Sequence, residues 1–261
     1  MNVVERRRRL LEIIQLNRTV LNEDLQREFN VTKETIRKDL NELSENGYIV
    51  RTFGGAILRD DYDPSIEQRT ISNLEEKRQI AFAAYKYIRA NDVIALDSGS
   101  TTLELANLIS GEDELVVLTN SLKVINSVAK KSAITSIGTG GILRTRSLSF
   151  QGAIAESTVR NYNISKTFIS AKALDPDRGV MDSNEEEAAI KRAMVENAQE
   201  TTLLADHTKF TRMAHVTVCP VSLINRIITS TLTDSGILDR FREAGIDVVT
   251  IPFSLFSGKN L

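Results

Sequence analysis

Between Asn30 and Gly55 the chain reads NVTKETIRKDLNELSENGYIVRTFGG. Ile36, Leu40 and Leu43 recur at i, i+4 and i+7, a single narrow apolar stripe. Thr32 is a natural N-cap and Asn46-Gly47 a left-handed stop, so the spacing predicts a short helix ending at Glu45. Lys33, Glu34, Arg37, Lys38 and Asn41 are left on the opposite face, with Thr35 on its flank. Two β-prone runs around Gly54-Gly55 follow at once, which is a hairpin signal. A helix that only packs needs no such framing. A turn before it and a hairpin behind it fix the angle at which its charged face meets another surface.

The preceding residues extend the pattern. Residues 3–16 place Val3, Leu10, Ile13 and Ile14 at helical spacing against an arginine run. TVLNEDLQREF predicts a second short helix, with Asn22 as N-cap and Leu21, Leu25 and Phe29 as its apolar row. Two helices, a turn, a third helix with a bare charged face and a Gly-Gly hairpin describe a winged helix-turn-helix, a module that reads duplex DNA. Arg37 offers paired donors suited to guanine, while Lys33 and Lys38 suit a base or a phosphate. The positive end of the helix favours phosphate near Thr32, and Arg51 and Thr52 of the hairpin are placed to touch neighbouring backbone. Charge is distributed accordingly: residues 1–59 hold 11 Lys/Arg against 9 Asp/Glu and the rest 22 against 26, although the whole chain carries a net −2.

At 261 residues the chain has room for a small domain and a larger one. RDDYDPSIEQRTISN is polar, holds a proline and lacks a period, so it reads as a linker. The expected divisions are 1–58, a linker over 59–73, and 74–261. Beyond Leu74, β-prone runs (VIALD, ELVVLTN, AITSIG, KTFISA, TTLLAD, RIITS, IDVVTI) alternate with amphipathic ones. That alternation predicts an α/β domain with a parallel-rich sheet. A lone cysteine, Cys219, excludes a disulfide framework and reads as a small core residue in a reducing setting. MNVVERRRRL is too charged for a secretory signal, and no apolar run reaches the ~18 residues of a membrane span, so a cytoplasmic protein is expected.

Small polar turns stand at successive strand ends of the second domain. VIALDSGSTTLELA runs strand, loop, helix: Gly99 lets backbone approach closely, and Ser98, Ser100, Thr101 and Thr102 bring hydroxyls to a helix N-terminus. Asp97 would repel a phosphate, which leaves it either a sugar hydroxyl to bond or the loop to brace. VVLTNSLK (Thr119, Asn120, Ser121) and IGTGGILR (Gly140, Gly141) repeat the theme, and together the three turns predict one polar-anion pocket. In DSNEEEAAIKRAM, Ser183 and Glu186 fit a capping box and Glu187–Lys191 an i, i+4 pair, with Glu187 or Lys191 alternatively facing the pocket. His207 and His215 stand 8 residues apart without ligand-spaced partners, and no cofactor signature is present, so neither metal nor cofactor is expected.

VTKETIRKDL followed by GYIVRTFGG resembles the helix-turn-helix of the DeoR family of bacterial transcriptional repressors, through Val31, Thr32, Thr35, Ile36, Arg37, Asp39, Leu40, Gly47, Ile49, Arg51, Gly54 and Gly55. DSGSTT, TNS, GGIL and LADHTKF are similar to that family's sensor domain, which is related to ribose-5-phosphate isomerase. The resemblance implies contacts to DNA from Thr32 to Lys38, including Glu34 and Thr35, and a structural role for Asp39. It further implies a phosphorylated-sugar pocket lined by Asp97 to Thr102, Thr119, Asn120, Gly141 and Lys209. Where relatives carry an acidic turn, this chain has FISAKALDPDRG, which removes a candidate general base and offers Lys172 to the anion instead. The expected protein is a sugar-responsive repressor, a homodimer or tetramer on double-stranded operator DNA. The alternatives are a sugar-phosphate isomerase with an accessory DNA domain, or a DNA-binding scaffold with a vestigial pocket.

Overall fold

The computed structural model describes residues 2–59 and 63–253, and the chain divides between Pro64 and Ser65 into two units. In the first, helix α1 (Val3–Asn17) leads through a short strand β1 (Thr19–Leu21) into α2 (Asn22–Phe29) and α3 (Lys33–Glu45). Strands β2 (Ile49–Arg51) and β3 (Gly55–Leu58) close the unit as an antiparallel hairpin, with β1 on the far side of β3. Leu10, Ile14, Leu25, Ile36, Leu40, Leu43 and Ile49 form one buried cluster. Each such side chain contributes roughly 1.5–3 kcal/mol on leaving water. The α3 stripe is therefore the seam expected from its spacing.

Two local expectations fail here. Thr19–Leu21 is a strand rather than the start of α2, and the helix cap is Leu21, not Asn22. A helical reading of those residues loses because β3 offers them a pairing edge. Val3 is 47% exposed and takes no part in the core. The β1–β3 pairing depends on Gly55, where an added Cβ would stand 1.8 Å from the Val20 carbonyl oxygen, whereas Gly54 has open space. Gly55→Ala should therefore cost this unit about 1–3 kcal/mol or more, as over-packing against backbone does. Gly54→Ala should be nearly neutral; thermal melts of the two variants compare them directly.

The second unit begins with α4 (Ile66–Ile71), a helix inside the stretch expected to be an irregular linker. Ser65 and Gln68 form a reciprocal capping box there, which rescues a segment whose periodicity is too short to see. Residues 60–62 of that stretch lie outside the described residues. Then come α5 (Leu74–Tyr85), β4 (Val93–Leu96), α6 (Ser100–Leu108), β5 (Leu115–Thr119), α7 (Leu122–Val128) and β6 (Ile134–Gly138). A hairpin, β7 (Ile142–Arg144) with β8 (Ser149–Gln151), and α8 (Ala153–Arg160) lead to β9 (Ile164–Ser170). β10 (Ala173–Asp175), β11 (Gly179–Asp182) and β13 (Val216–Cys219) make a small antiparallel sheet. Between them run α9 (Glu185–Glu196) and β12 (Ala198–Leu204), and β14 (Arg226–Ser230), α10 (Ser235–Glu243) and β15 (Asp247–Ile251) complete the unit.

Seven strands form one parallel sheet in the order β15-β14-β12-β9-β4-β5-β6. Successive strand residues alternate between two cores. Ala95, Leu118, Ile169, Leu203 and Ile227 face α8, α9 and α10, while Ile94, Leu96, Val117, Phe168, Leu204 and Ile228 face α5, α6 and α7. Cys219 belongs to the first core, and burial pushes its thiol up to about 12. The chain builds outward from β4 to β6, then returns to lay β9 on the other edge of β4. That reversal puts the sheet's topological switch point at the carboxyl ends of β4 and β9, where ligands of such sheets collect.

Candidate functional site

Two surfaces are candidates for functional chemistry, one in each unit. On α3, the Thr32 hydroxyl accepts from the Thr35 amide and lies 2.9 Å from the Thr35 hydroxyl, so the cap is made as its sequence predicts. Tyr48 N donates to Leu43 O at 2.9 Å, and Gly47 takes φ +74°, which ends the helix. Lys33, Glu34, Arg37 and Lys38 are exposed and make no ion pair among the described residues. Asp39, on the other side, is buried and accepts from Arg6 Nε at 2.6 Å and Arg7 Nε at 2.9 Å. The motif's buried carboxylate is thus consumed by α1, and the outward face keeps three cations, Lys33, Arg37 and Lys38, against the one carboxylate of Glu34.

Arg51 of β2 lies near Arg37 of that face, and Thr52 follows it in the hairpin loop, its amide donating to Gly55 O. Burial and then the proximity of Arg37 lower the Arg51 guanidinium from its ordinary value. Its Nη1 is buried and has no hydrogen-bond acceptor. Two guanidiniums without an intervening carboxylate are an arrangement that an anion would relieve.

In the second unit the predicted residues gather along one edge. Asp97 to Thr102 follow β4, Thr119 and Asn120 end β5, Gly141 follows β6, Lys172 follows β9 and Lys209 follows β12. Asp97 is a brace: Oδ1 accepts from Gly99 N at 2.9 Å and Thr102 Oγ1 at 2.6 Å, and Oδ2 from Ser170 N at 3.0 Å. Gly99 packs so closely on β9 that a Cβ would lie 1.8 Å from Ser170 Oγ. No side chain caps α6, and the Ser98, Ser100 and Thr101 hydroxyls make no hydrogen bond among the described residues. Amides and hydroxyls at this helix start are therefore groups that an acceptor could satisfy. Asn120 is buried, donates from Nδ2 to Phe150 O at 3.2 Å and leaves Oδ1 without a donor. Thr119 Oγ1 is taken by the Ser121 amide, and Gly141, at φ +106°, lets the β6–β7 turn pack on Gln151.

The α9 start differs from its sequence reading. Asn184, not Ser183, caps the helix by accepting from the Glu187 amide at 2.9 Å. Glu187 turns to Arg144 (3.2 Å) and Ser149 (3.3 Å) instead of pairing with Lys191. Lys191 lies buried with Nζ 2.5 Å from Asp182 Oδ2 and 3.3 Å from Asp97 Oδ2. Burial pushes its ammonium down, but Asp182, Asp97 and Glu187 outweigh that and hold it above its ordinary value. Burial likewise pushes Asp182 up, and Lys191 more than offsets it, leaving the carboxyl below its ordinary value.

Sequence spacing also missed the setting of His207. Tertiary folding brings Glu76, 131 positions away, to 2.8 Å from its Nδ1, and Asp206 completes a cluster whose donor atoms lie within 4.8 Å of one another. Those groups are already engaged: Glu76 Oε1 accepts from His207 N and Ser230 Oγ, and Asp206 Oδ1 from Thr208 N. The Glu76 hydrogen bond raises the His207 ring above its ordinary value. Lys209 sits 3.8 Å from Asp206, largely buried, and that burial lowers its ammonium to about 7.

Comparison with known proteins gives two family matches. The model described as the DeoR-like helix-turn-helix domain matches residues 6–61, and that of the DeoR C terminal sensor domain matches residues 72–231. The HTH-type transcriptional regulator YulB of Bacillus subtilis (strain 168) is 34% identical over 97% of this chain and 99% of its own. A putative aga operon transcriptional repressor of Escherichia coli O157:H7 is 33% identical over 95% and 93%. The glycerol-3-phosphate regulon repressor of Escherichia coli (strain K12) is 29% identical over 88% and 91%.

Proposed function

The chain belongs to the DeoR family of transcriptional regulators, and on that premise we propose that it represses a sugar-catabolic operon under the control of a phosphorylated sugar. It is a DNA-binding regulator, not an enzyme. In this reading Thr32 to Lys38 meet the operator, with Arg51 and Thr52 on the flanking backbone. One subunit offers one recognition helix, so a homodimer or tetramer on spaced half-sites supplies the affinity. The observation that carries the reading is α3 itself: a capped helix whose Lys33, Arg37 and Lys38 are left without ion pairs while its one buried carboxylate is neutralised from behind. Arg37→Ala should weaken operator binding by roughly 1–3 kcal/mol if Arg37 reads a base. Unchanged affinity in a filter-binding titration would refute that role.

The effector half of the proposal rests on the uncapped start of α6 and the free hydroxyls of Ser98, Ser100 and Thr101, with Asn120 Oδ1 waiting for a donor such as a sugar hydroxyl. The names of two relatives, which refer to the aga operon and the glycerol-3-phosphate regulon, support a carbohydrate-linked role. The carboxylates of this edge, Asp97, Asp182 and Asp206, are all spent on amides, hydroxyls or lysines, which suits binding rather than proton abstraction. To act as inducer, the ligand must prefer the DNA-incompetent arrangement. A preference of about 5.5 kcal/mol moves occupancy from 99:1 to 1:99.

Lys209 gives this half a pH signature. With its ammonium lowered to about 7, Lys209 is protonated and able to meet a phosphate below that value, and loses its charge as pH rises. Phosphosugar affinity measured by calorimetry should therefore fall between pH 7 and 9. Lys209→Met should bind more weakly at pH 7 and show a flatter profile. A wild-type affinity that rises across this window would exclude Lys209 as the phosphate partner.

A further inference from the structure

The three-residue loop between β2 and β3 is Thr52-Phe53-Gly54, and Phe53 stands at its apex, 110% exposed. That value exceeds the exposure of the residue in an open peptide, so the ring touches nothing else in its unit. Its support is nevertheless stiff. Thr52 N donates to Gly55 O at 3.2 Å, and Gly54 O accepts from Asn22 N at 2.8 Å. Gly55 packs directly against the Val20 carbonyl at the base of the loop. An aromatic ring is thus held out at the loop apex, two residues beyond Arg51, whose guanidinium lies near that of Arg37.

We propose that Phe53 is an apolar wedge that enters the minor groove of the operator beside the half-site read by α3, with Arg51 on the adjoining phosphate. The inference rests on the DNA-binding reading above and adds to it a contact to DNA that α3 does not make. A helix lying in the major groove, about 12 Å wide, fills it, so a hairpin beside that helix meets the flanking backbone and the next minor groove. That groove is about 6 Å wide, too narrow for a second hairpin but open to a single ring edge. Apolar side chains inserted there part a base step and kink the duplex, at least cost at flexible pyrimidine–purine steps. The surrounding charge fits this occupant: Lys33, Arg37 and Lys38 are exposed and make no ion pair among the described residues, and Arg51 stands two positions before the ring.

The test uses the full-length chain and a duplex that the wild type selects from a random-sequence pool. Phe53→Ala should lower affinity roughly tenfold or more, leave the salt dependence unchanged because no phosphate contact is lost, and reduce the bend seen by end-to-end energy transfer. Phe53→Trp should keep both affinity and bend. Arg51→Ala should instead lower the slope of log affinity against log salt by about one. Equal affinity and bend in wild type and Phe53→Ala overturn the wedge while leaving the recognition helix in place. A shifted melting temperature in Phe53→Ala with unchanged DNA binding also overturns it, by assigning the ring to packing within the protein. If the wild type selects no duplex at all, the DNA-binding reading falls, and the wedge with it.

Discussion

Asp39→Ala should unfold the N-terminal unit and abolish operator binding while the C-terminal unit keeps its melting transition. Asp39 is 1% exposed and holds Arg6 and Arg7, so its removal takes the carboxylate from the largely buried Arg6 and leaves Arg7 with the exposed Glu42 at 3.6 Å. Truncating one member of a buried ion pair costs roughly 3–5 kcal/mol. A unit of this size is stabilised by about 3–9 kcal/mol in total, which makes that loss a large share of its stability. Asp39→Asn, which keeps the shape and an acceptor oxygen, should fall between. Limited proteolysis separates the outcomes, with rapid loss of residues before Ser65 and a resistant remainder expected for Asp39→Ala. A variant whose N-terminal unit stays protease-resistant would show that Asp39 does not hold α1 against α3.

Lys191→Met should be the most damaging single change in the sensor unit. The substitution nearly preserves volume but leaves Asp182 and Asp97 buried without their shared cation. The same 3–5 kcal/mol penalty corresponds to a drop of roughly 6–20 °C in melting temperature for a domain of about 200 residues. The pH dependence gives a sharper signature. In the wild type, Lys191 holds the Asp182 carboxyl below its unfolded value of about 4, so the stability it supplies is complete above pH 4 and lost as pH falls through the folded value. In the variant, burial without a cation favours the protonated Asp182 carboxyl, so acidification should relieve the strain. The gap between the two melting temperatures should narrow as pH approaches 4, and a constant gap would assign the loss to packing rather than charge. Because Asp97 also carries the Gly99 and Ser170 amides, the phosphosugar binding proposed for this edge should fail together with stability.

Both predictions turn on partners that no local pattern discloses. Asp39 stands 33 and 32 positions from Arg6 and Arg7, and the sequence offers four consecutive arginines with nothing to choose among them. Lys191 has Glu187 one helical turn away, the partner that spacing nominates, yet it pairs with Asp182 and Asp97 because β11 and β4 deliver their carboxylates to the same buried point. His207 finds Glu76 across 131 positions. The third strand of the wing was invisible for the same reason. Thr19–Leu21 is too short to declare itself and exists because β3 is there to pair with it, at a glycine that allows the approach.

What the sequence determined alone is whatever arises within a few turns of chain. The α3 stripe of Ile36, Leu40 and Leu43, the Thr32 cap, the Gly47 stop, the strand–helix alternation and the polar turns at the strand ends all follow from side-chain periodicity and backbone sterics, which act over residues already joined. The order of the seven strands, the meeting of the strand-end turns on one edge, and the choice of which charges neutralise one another were settled only in three dimensions. Those outcomes depend on loop closure and on the desolvation of groups far apart in the chain. Their energies are fixed only after the cores on both faces of the sheet have formed.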